Sequence, residues 1–235
     1  MGEVQSLKHL NDFAKRVSKI HEGGAEVLIC SDGRVFSDLV GVEEDDVSLY
    51  REELKAIVAL YHFENIRFFD LEDKYDSKLS FDQMRFHLEK QFSKTEESLR
   101  DEVKRDSEIR TLFNGIHRFL KEDFTNIIEN KSKNQIHKMA KERAYKVVLR
   151  SNAWSALVER MFPHAFRLSI HPQSLSSLKF PVKLLPGEEK WGTPWHRVPV
   201  LVNNNFCLMR HHDALKAGAI LKDSNGHAFF EIMSA

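Results

Sequence analysis

AEVLICSDGR, residues 25–34, decides the fold, because an apolar run long enough for one buried strand passes directly into turn residues and a charged side chain. Upstream of it, Val4, Leu7, Leu10, Ala14 and Val17 recur at helical spacing, and Gly23 and Gly24 close that helix. Downstream, DDVSLYREELKAIVALYHF (45–63) sets Val47, Tyr50, Leu54, Ile57, Val58 and Tyr61 on one helical stripe, and a second apolar run, IRFFDL (66–71), follows. Strand, helix, strand in this order predicts a parallel pairing with a crossover helix.

The middle of the chain changes character. Ser80 with Gln83 and Ser132 with Gln135 have capping-box spacing, and Thr95 can cap a helix carrying Leu99, Val103, Ile109, Phe113 and Ile116. A helical lobe over about 80–163 is the expectation. Strands return at FRLSI (166–170), VKLL (182–185), VPVLV (198–202) and FCLM (206–209), followed by a short helix, HDALKAGAI (212–220), and a turn at Asn225 and Gly226. No repeat, low-complexity tract or linker divides the chain. The reading is therefore one α/β domain over 1–235, with a mixed, mostly parallel sheet and the helical lobe inserted between its sheet-forming halves.

Composition removes several classes of function. Thirty-five Lys and Arg against thirty-five Asp and Glu leave a formal net charge of zero, so nothing favours a nucleic acid or an anionic membrane as partner. Cys30 and Cys207 lack metal-ligand or CxxC spacing and read as buried thiols. His211 and His212 are adjacent, which points them apart on a regular element, and no HxH or HxxxH occurs, so no metal site is expected. Neither GxGxxG nor GxxxxGK[ST] is present, which excludes the common dinucleotide and NTP fingerprints. The first residues carry no signal-peptide pattern and no long apolar run occurs, so the cytoplasm is the expected location; MGEVQS fits a myristoylation pattern, a short match of low specificity.

In open α/β sheets ligands bind beyond the carboxyl ends of strands, so the residues after each strand are the chemical candidates. After AEVLIC come Ser31, Asp32, Gly33 and Arg34; IRFFDL ends among Asp70 and Glu72; FRLSI is followed by His171, Pro172, Gln173 and Ser174. Gly33 can admit a ligand to the backbone and Arg34 can offer a planar charged fork to a carboxylate or phosphate, although a plain tight turn with a surface ion pair to Asp38 or Glu43 explains the same residues. His171 suits acid–base work near neutral pH, and a bond to a loop carbonyl is its bland alternative. Lys179 can meet a phosphate. Trp191, Thr193, Trp195 and His196 form WGTPWH, either a pocket wall or a hydrophobic plug. Arg143, Arg150 and Arg167 flank apolar positions and can bind anions, while helix arginines more often sit in solvent or in ion pairs.

Three blocks, SDGRVFSDLVGVEEDDVSLYREEL, FPHAFRLSIHPQS with Lys179, and WGTPWHRVPVLV, resemble in order and spacing the motifs of the pyoverdine/dityrosine biosynthesis proteins, the isocyanide (isonitrile) synthases. The resemblance spans about 20–230. It implies a Rossmann-like domain with a helical lobe, converting the amino group of tyrosine or tryptophan to an isonitrile in secondary metabolism. Ribulose 5-phosphate would be the carbon donor and co-substrate, with no cofactor and no metal; the partners would be small molecules, and an iron/2-oxoglutarate-dependent oxygenase the functional companion. On that basis His171 is the acid–base catalyst, Asp32 orients a histidine or takes a proton, Arg34 binds the substrate carboxylate or sugar phosphate, and His196 transfers a second proton. Ser31, Arg143, Arg167, Gln173, Ser174, Lys179 and Thr193 supply hydrogen bonds or charge, and Trp195 flanks the amino-acid ring. The family pattern also includes an upstream segment with a Lys-Ser element that this sequence does not show. A non-catalytic homologue that binds an amino acid or a sugar phosphate is the alternative, and an unrelated sugar-phosphate isomerase or aldolase a further one.

Overall fold

The structure is a computed structural model that describes residues 2–128, 130–171, 173, 177–185, 197–224 and 227–233. Its residues group into two compact units: Met1–Ile29, Glu52–Arg67 and His164–Ala235 make one, and Cys30–Arg51 with Phe68–Pro163 make the other. The strands β1 (Val27–Cys30) and β2 (Ile66–Phe69) are paired neighbours. Val27 N–H donates to Asn65 O and Ser31 N–H to Phe69 O, each at 2.8 Å. The offset between partners is the same at both ends, so the strands are parallel as the βαβ pattern requires.

The second unit is helical. Between the strands lie α2 (Gly33–Val40) and α3 (Glu44–Leu60), and after β2 come α4 (Leu71–Lys74), α5 (Phe81–Phe92), α6 (Glu96–Arg105), α7 (Ser107–Ile127) and α8 (Lys133–Met161). Ser80 and Ser132 make the expected capping boxes with Gln83 and Gln135, and Thr95 accepts Ser98 N–H. What reads as one helix after Thr95 is two, because the Asp106 side chain accepts Glu108 and Ile109 N–H and starts α7 afresh. Ile136, Ala140, Ala144 and Val148 recur every fourth residue on α8 and pack with Phe113, Leu120 and Phe124 of α7 and with Leu99 and Val103 of α6. Ala140 and Ala144 are fully buried, and their small side chains allow the close approach.

Eight residues make too short a helix for α2 to persist alone. Three arginines hold it. Arg85 NH1 donates to Arg34 O at 2.8 Å and to Ser37 Oγ at 3.0 Å, Arg150 NH1 to Val35 O at 2.9 Å, and Arg143 NH1 to Leu39 O at 2.8 Å. Gly41 then ends the helix at φ 78°, where its N–H reaches Ser37 O. The helical unit is thus wider than a lobe over 80–163, since α2 and the start of α3 belong to it.

The first unit carries α1 (Gly2–Ser18), whose Leu7, Leu10 and Ala14 are buried. Asn11 is buried too: its Oδ1 accepts Asn65 N–H at 3.1 Å. Two short strands, β3 (Leu168–Ser169) and β4 (Phe180–Pro181), pair in parallel. A separate four-stranded sheet has the order β6-β5-β8-β7, from β5 (Val198–Val202), β6 (Asn205–Met209), β7 (Ile220–Ser224) and β8 (His227–Ile232), and packs Val200 against Ala214 and Ala219 beside α9 (His211–Lys216). Its β5–β8 pairing is parallel, while β5–β6 and β7–β8 are antiparallel. The fold is mixed α/β, with the strands in several small sheets rather than one mostly parallel sheet. VKLL is not a strand; the pairing falls earlier, on Phe180 and Pro181, and Ile220 begins β7 rather than ending a helix.

Arg150 also bonds Glu89 Oε1 at 2.6 Å and the Asp38 carboxylate, so Arg150→Met leaves two carboxylates and a carbonyl short of a partner. We expect it to cost about 3 kcal/mol in denaturant unfolding, against less than about 0.5 kcal/mol for Arg105→Met on the exposed end of α6.

Candidate active site

Because β1 and β2 are parallel neighbours, the residues beyond Cys30 and Phe69 leave the strand pair at the same end. Ser31 spends its N–H on Phe69 O, which ties the two departing segments together. Asp32 follows as the residue before α2, a position where an aspartate normally accepts a helix N–H, yet its side chain makes no capping bond. Burial pushes its carboxyl up to about 6, so it holds or releases a proton close to neutrality. A Cβ on Gly33 would meet Val47 Cγ1 at 3.0 Å, so the glycine serves the packing of α2 on α3.

Arg34 is buried and does not offer its fork outward. Its NH2 lies 3.2 Å from Glu72 Oε2 and 3.2 Å from Ser48 Oγ, while Nε and NH1 stand 3.8 Å from Asp70 and Glu44. Its guanidinium carbon is 4.1 Å from the centre of the Phe81 ring. The partners are Glu44, Asp70 and Glu72, not the Asp38 or Glu43 that a local surface pair would use. Arg51, from α3, bonds three carboxylates at once: Asp70 Oδ2 at 2.8 Å, Glu72 Oε2 at 2.6 Å and Asp73 Oδ2 at 3.1 Å.

Asp70 is 2% exposed. Its side chain accepts Glu72 N–H at 2.8 Å, and Asp73 Oδ2 accepts Asp70 N–H at 2.8 Å, a capping box that turns the chain sharply after β2. Burial raises the Asp70 carboxyl above the usual range, and Arg51 opposes that shift. Arg51 and Glu44 were not legible as site residues, because they sit on a helix at ordinary surface-like spacing. Only the acidic cluster at 70–73 signals that a buried cation must arrive from elsewhere.

In the other unit, the segment after β3 forms a polar chain. His171 N–H donates to Ser169 Oγ at 3.2 Å, and Gln173 Nε2 donates to the same oxygen at 3.0 Å. Ser177 Oγ donates to Gln173 Oε1 at 2.7 Å and accepts Lys179 N–H at 3.1 Å. His171 is exposed, and Arg167 passes its carbonyl to Phe180 N–H at 2.8 Å. Of the remaining sequence candidates, Arg143 is engaged with Leu39 O and the Phe124 ring, and Arg150 with α2, Asp38 and Glu89. Ser174, Trp191, Thr193, Trp195 and His196 lie outside the described residues. No described helix is long and apolar enough to cross a membrane.

The chain belongs to the pyoverdine/dityrosine biosynthesis protein family, whose model matches residues 1–221. It is 44% identical over 227 residues to the L-tryptophan isonitrile synthase AmbI2 of Fischerella ambigua, covering 97% of this chain and 68% of that protein. It is 38% identical over 229 residues to the L-tyrosine isonitrile synthase of Pseudomonas aeruginosa, covering 96% and 70%. The crystal structure of PvcA from Pseudomonas aeruginosa matches with a TM-score of 0.90 at 36% identity, over 99% of this chain and 78% of that one. The protein is an enzyme of the isonitrile synthase type.

The raised carboxyl makes Asp32 a stability liability with a defined pH signature. Well below pH 3.8 folded and unfolded chains both hold the proton; from there to about pH 6 the unfolded chain loses it first, so stability falls as pH rises and the deficit persists above that. Asp32→Asn should therefore come nearest to the parent at about pH 3 and exceed it by about 3 kcal/mol at pH 8 in urea unfolding.

Proposed function

We propose that this enzyme converts the amino group of L-tryptophan or L-tyrosine into an isonitrile, taking the isonitrile carbon from ribulose 5-phosphate, in the production of a secondary metabolite. The observation that carries the reading is the identity to the tryptophan enzyme across nearly the whole chain. In this reading the substrate amine attacks the ketone of the sugar phosphate, loss of water yields an imine, and carbon–carbon cleavages leave the former ketone carbon on nitrogen. Each stage needs a proton accepted or returned at a fixed place. Asp32, ionised above about pH 6, is suited to take the proton that the ammonium group loses before attack. His171 acts as a second acid–base group, on a backbone tied through Ser169 Oγ.

Incubation with ribulose 5-phosphate and either amino acid should give a product with the isonitrile infrared stretch and the matching mass. If neither amino acid nor a wider amino-acid panel reacts with folded protein, the reading is wrong. His171→Ala should bind the amino acid and lose turnover. With the parent enzyme, kcat/KM should climb as pH rises through about 6, and Asp32→Asn should abolish that limb.

A further inference from the structure

We propose that Glu72 is the group that receives the α-ammonium of the amino-acid substrate, an inference that rests on the synthase reading above. The residue stands beyond β2, at the same end of the parallel strand pair as Asp32. Both of its charged partners converge on one oxygen: Arg51 NH1 is 2.6 Å and Arg34 NH2 3.2 Å from Oε2. Oε1 makes no hydrogen bond among the described residues, and the side chain keeps 33% of its surface exposed. A carboxylate fixed by one oxygen and open at the other is oriented before a ligand arrives.

The balance of charge decides what kind of ligand it takes. Two guanidiniums, Arg34 and Arg51, face four carboxylates, Glu44, Asp70, Glu72 and Asp73, of which Glu44 is shared with Arg85. Arg34 is 5% exposed, its Nε and NH1 donate to no acceptor among the described residues, and the charges nearest to them are the carboxylates of Asp70 and Glu44 at 3.8 Å. Asp70 is buried, which leaves Glu72 and Asp73 as the accessible members, and Asp73 already spends Oδ2 on Arg51 and on the Asp70 N–H. What faces outward is thus a carboxylate in a cluster with an acidic surplus, which favours an ammonium and disfavours a phosphate or a carboxylate. Glu72 stands among the residues that follow the strands in sequence, and its pairing with Arg34 and Arg51 is what gives it this role.

The test compares each amino acid, L-tryptophan and L-tyrosine, with its deamino counterpart, the same acid carrying hydrogen in place of the amino group. Calorimetry without sugar phosphate should show the parent protein binding the better amino acid at least about ten-fold more tightly than its counterpart, and Glu72→Gln should bring the two affinities together. A ratio of affinities is unaffected by loss of folded fraction. If Glu72→Gln fails to fold, Glu72→Asp, which keeps the charge but withdraws it by one methylene, should shrink the ratio. An unchanged ratio in the variant, no preference in the parent, or no binding of either acid overturns the assignment. Isonitrile formation by the parent, measured separately, keeps the two readings apart. Product with an unchanged ratio removes only Glu72, and a Glu72-dependent ratio without product removes only the synthase reaction.

Discussion

The bond from Arg51 Nε to Asp70 Oδ2, 2.8 Å long with both side chains largely removed from water, is the contact on which the strand edge depends. Asp70 is buried where it caps α4, and a buried carboxylate that stays ionised needs a compensating charge. Once Arg51 is committed there, its remaining nitrogens fix Glu72 and Asp73, and Glu72 in turn fixes Arg34. The positions of α2, α3 and α4 at this edge are coupled through one set of charges. Aromatic packing supports the same end: Phe69, the last residue of β2, stacks on Trp154 of α8 at 5.7 Å and meets Phe162 edge-on at 5.0 Å.

Patterns that a local rule specifies were legible. The run VPVLV is β5 at the same residues, both Ser/Gln capping boxes form, and the parallel relation of β1 and β2 follows from strand, helix, strand. Patterns that tertiary contacts specify were not. SDGR reads as a turn because Asp and Gly favour one, but three arginines from distant helices recruit Gly33 into α2. The strand β7 has no clear sequence signature, because Ile220 to Asp223 lies open to solvent and shows no alternation of apolar and polar residues. Asn203 and Asn204, at φ 49° and 61°, close the β5–β6 hairpin with both central residues left-handed, a turn that paired asparagines can adopt.

At the candidate site, sequence showed which residues follow the strands but not the surroundings of their charges. A basic residue after a buried strand invites an anion, and Arg34 fits that expectation until its surroundings are known. Three carboxylates within 3.8 Å and an aromatic ring over the guanidinium satisfy it from inside the protein. Sequence cannot reveal this, because the compensating residues lie ten to thirty-eight positions away, in α3, in α4 and in the cap that precedes α4.

Asp32 shows the opposite economy. The residue occupies a helix-capping position without using it, and burial holds its carboxyl at an energetic disadvantage when ionised. A protein selected for stability alone would place a serine or asparagine there, since either caps a helix without the penalty. The neighbouring Asp70 carries the same side chain in deeper burial, but it caps α4 and pairs with Arg51, so its charge is used structurally. Two aspartates at one strand edge are thereby given different work by their surroundings. The one with compensation maintains the architecture, and the one without it keeps a proton affinity close to neutrality, which is the property that acid–base chemistry on an amine requires.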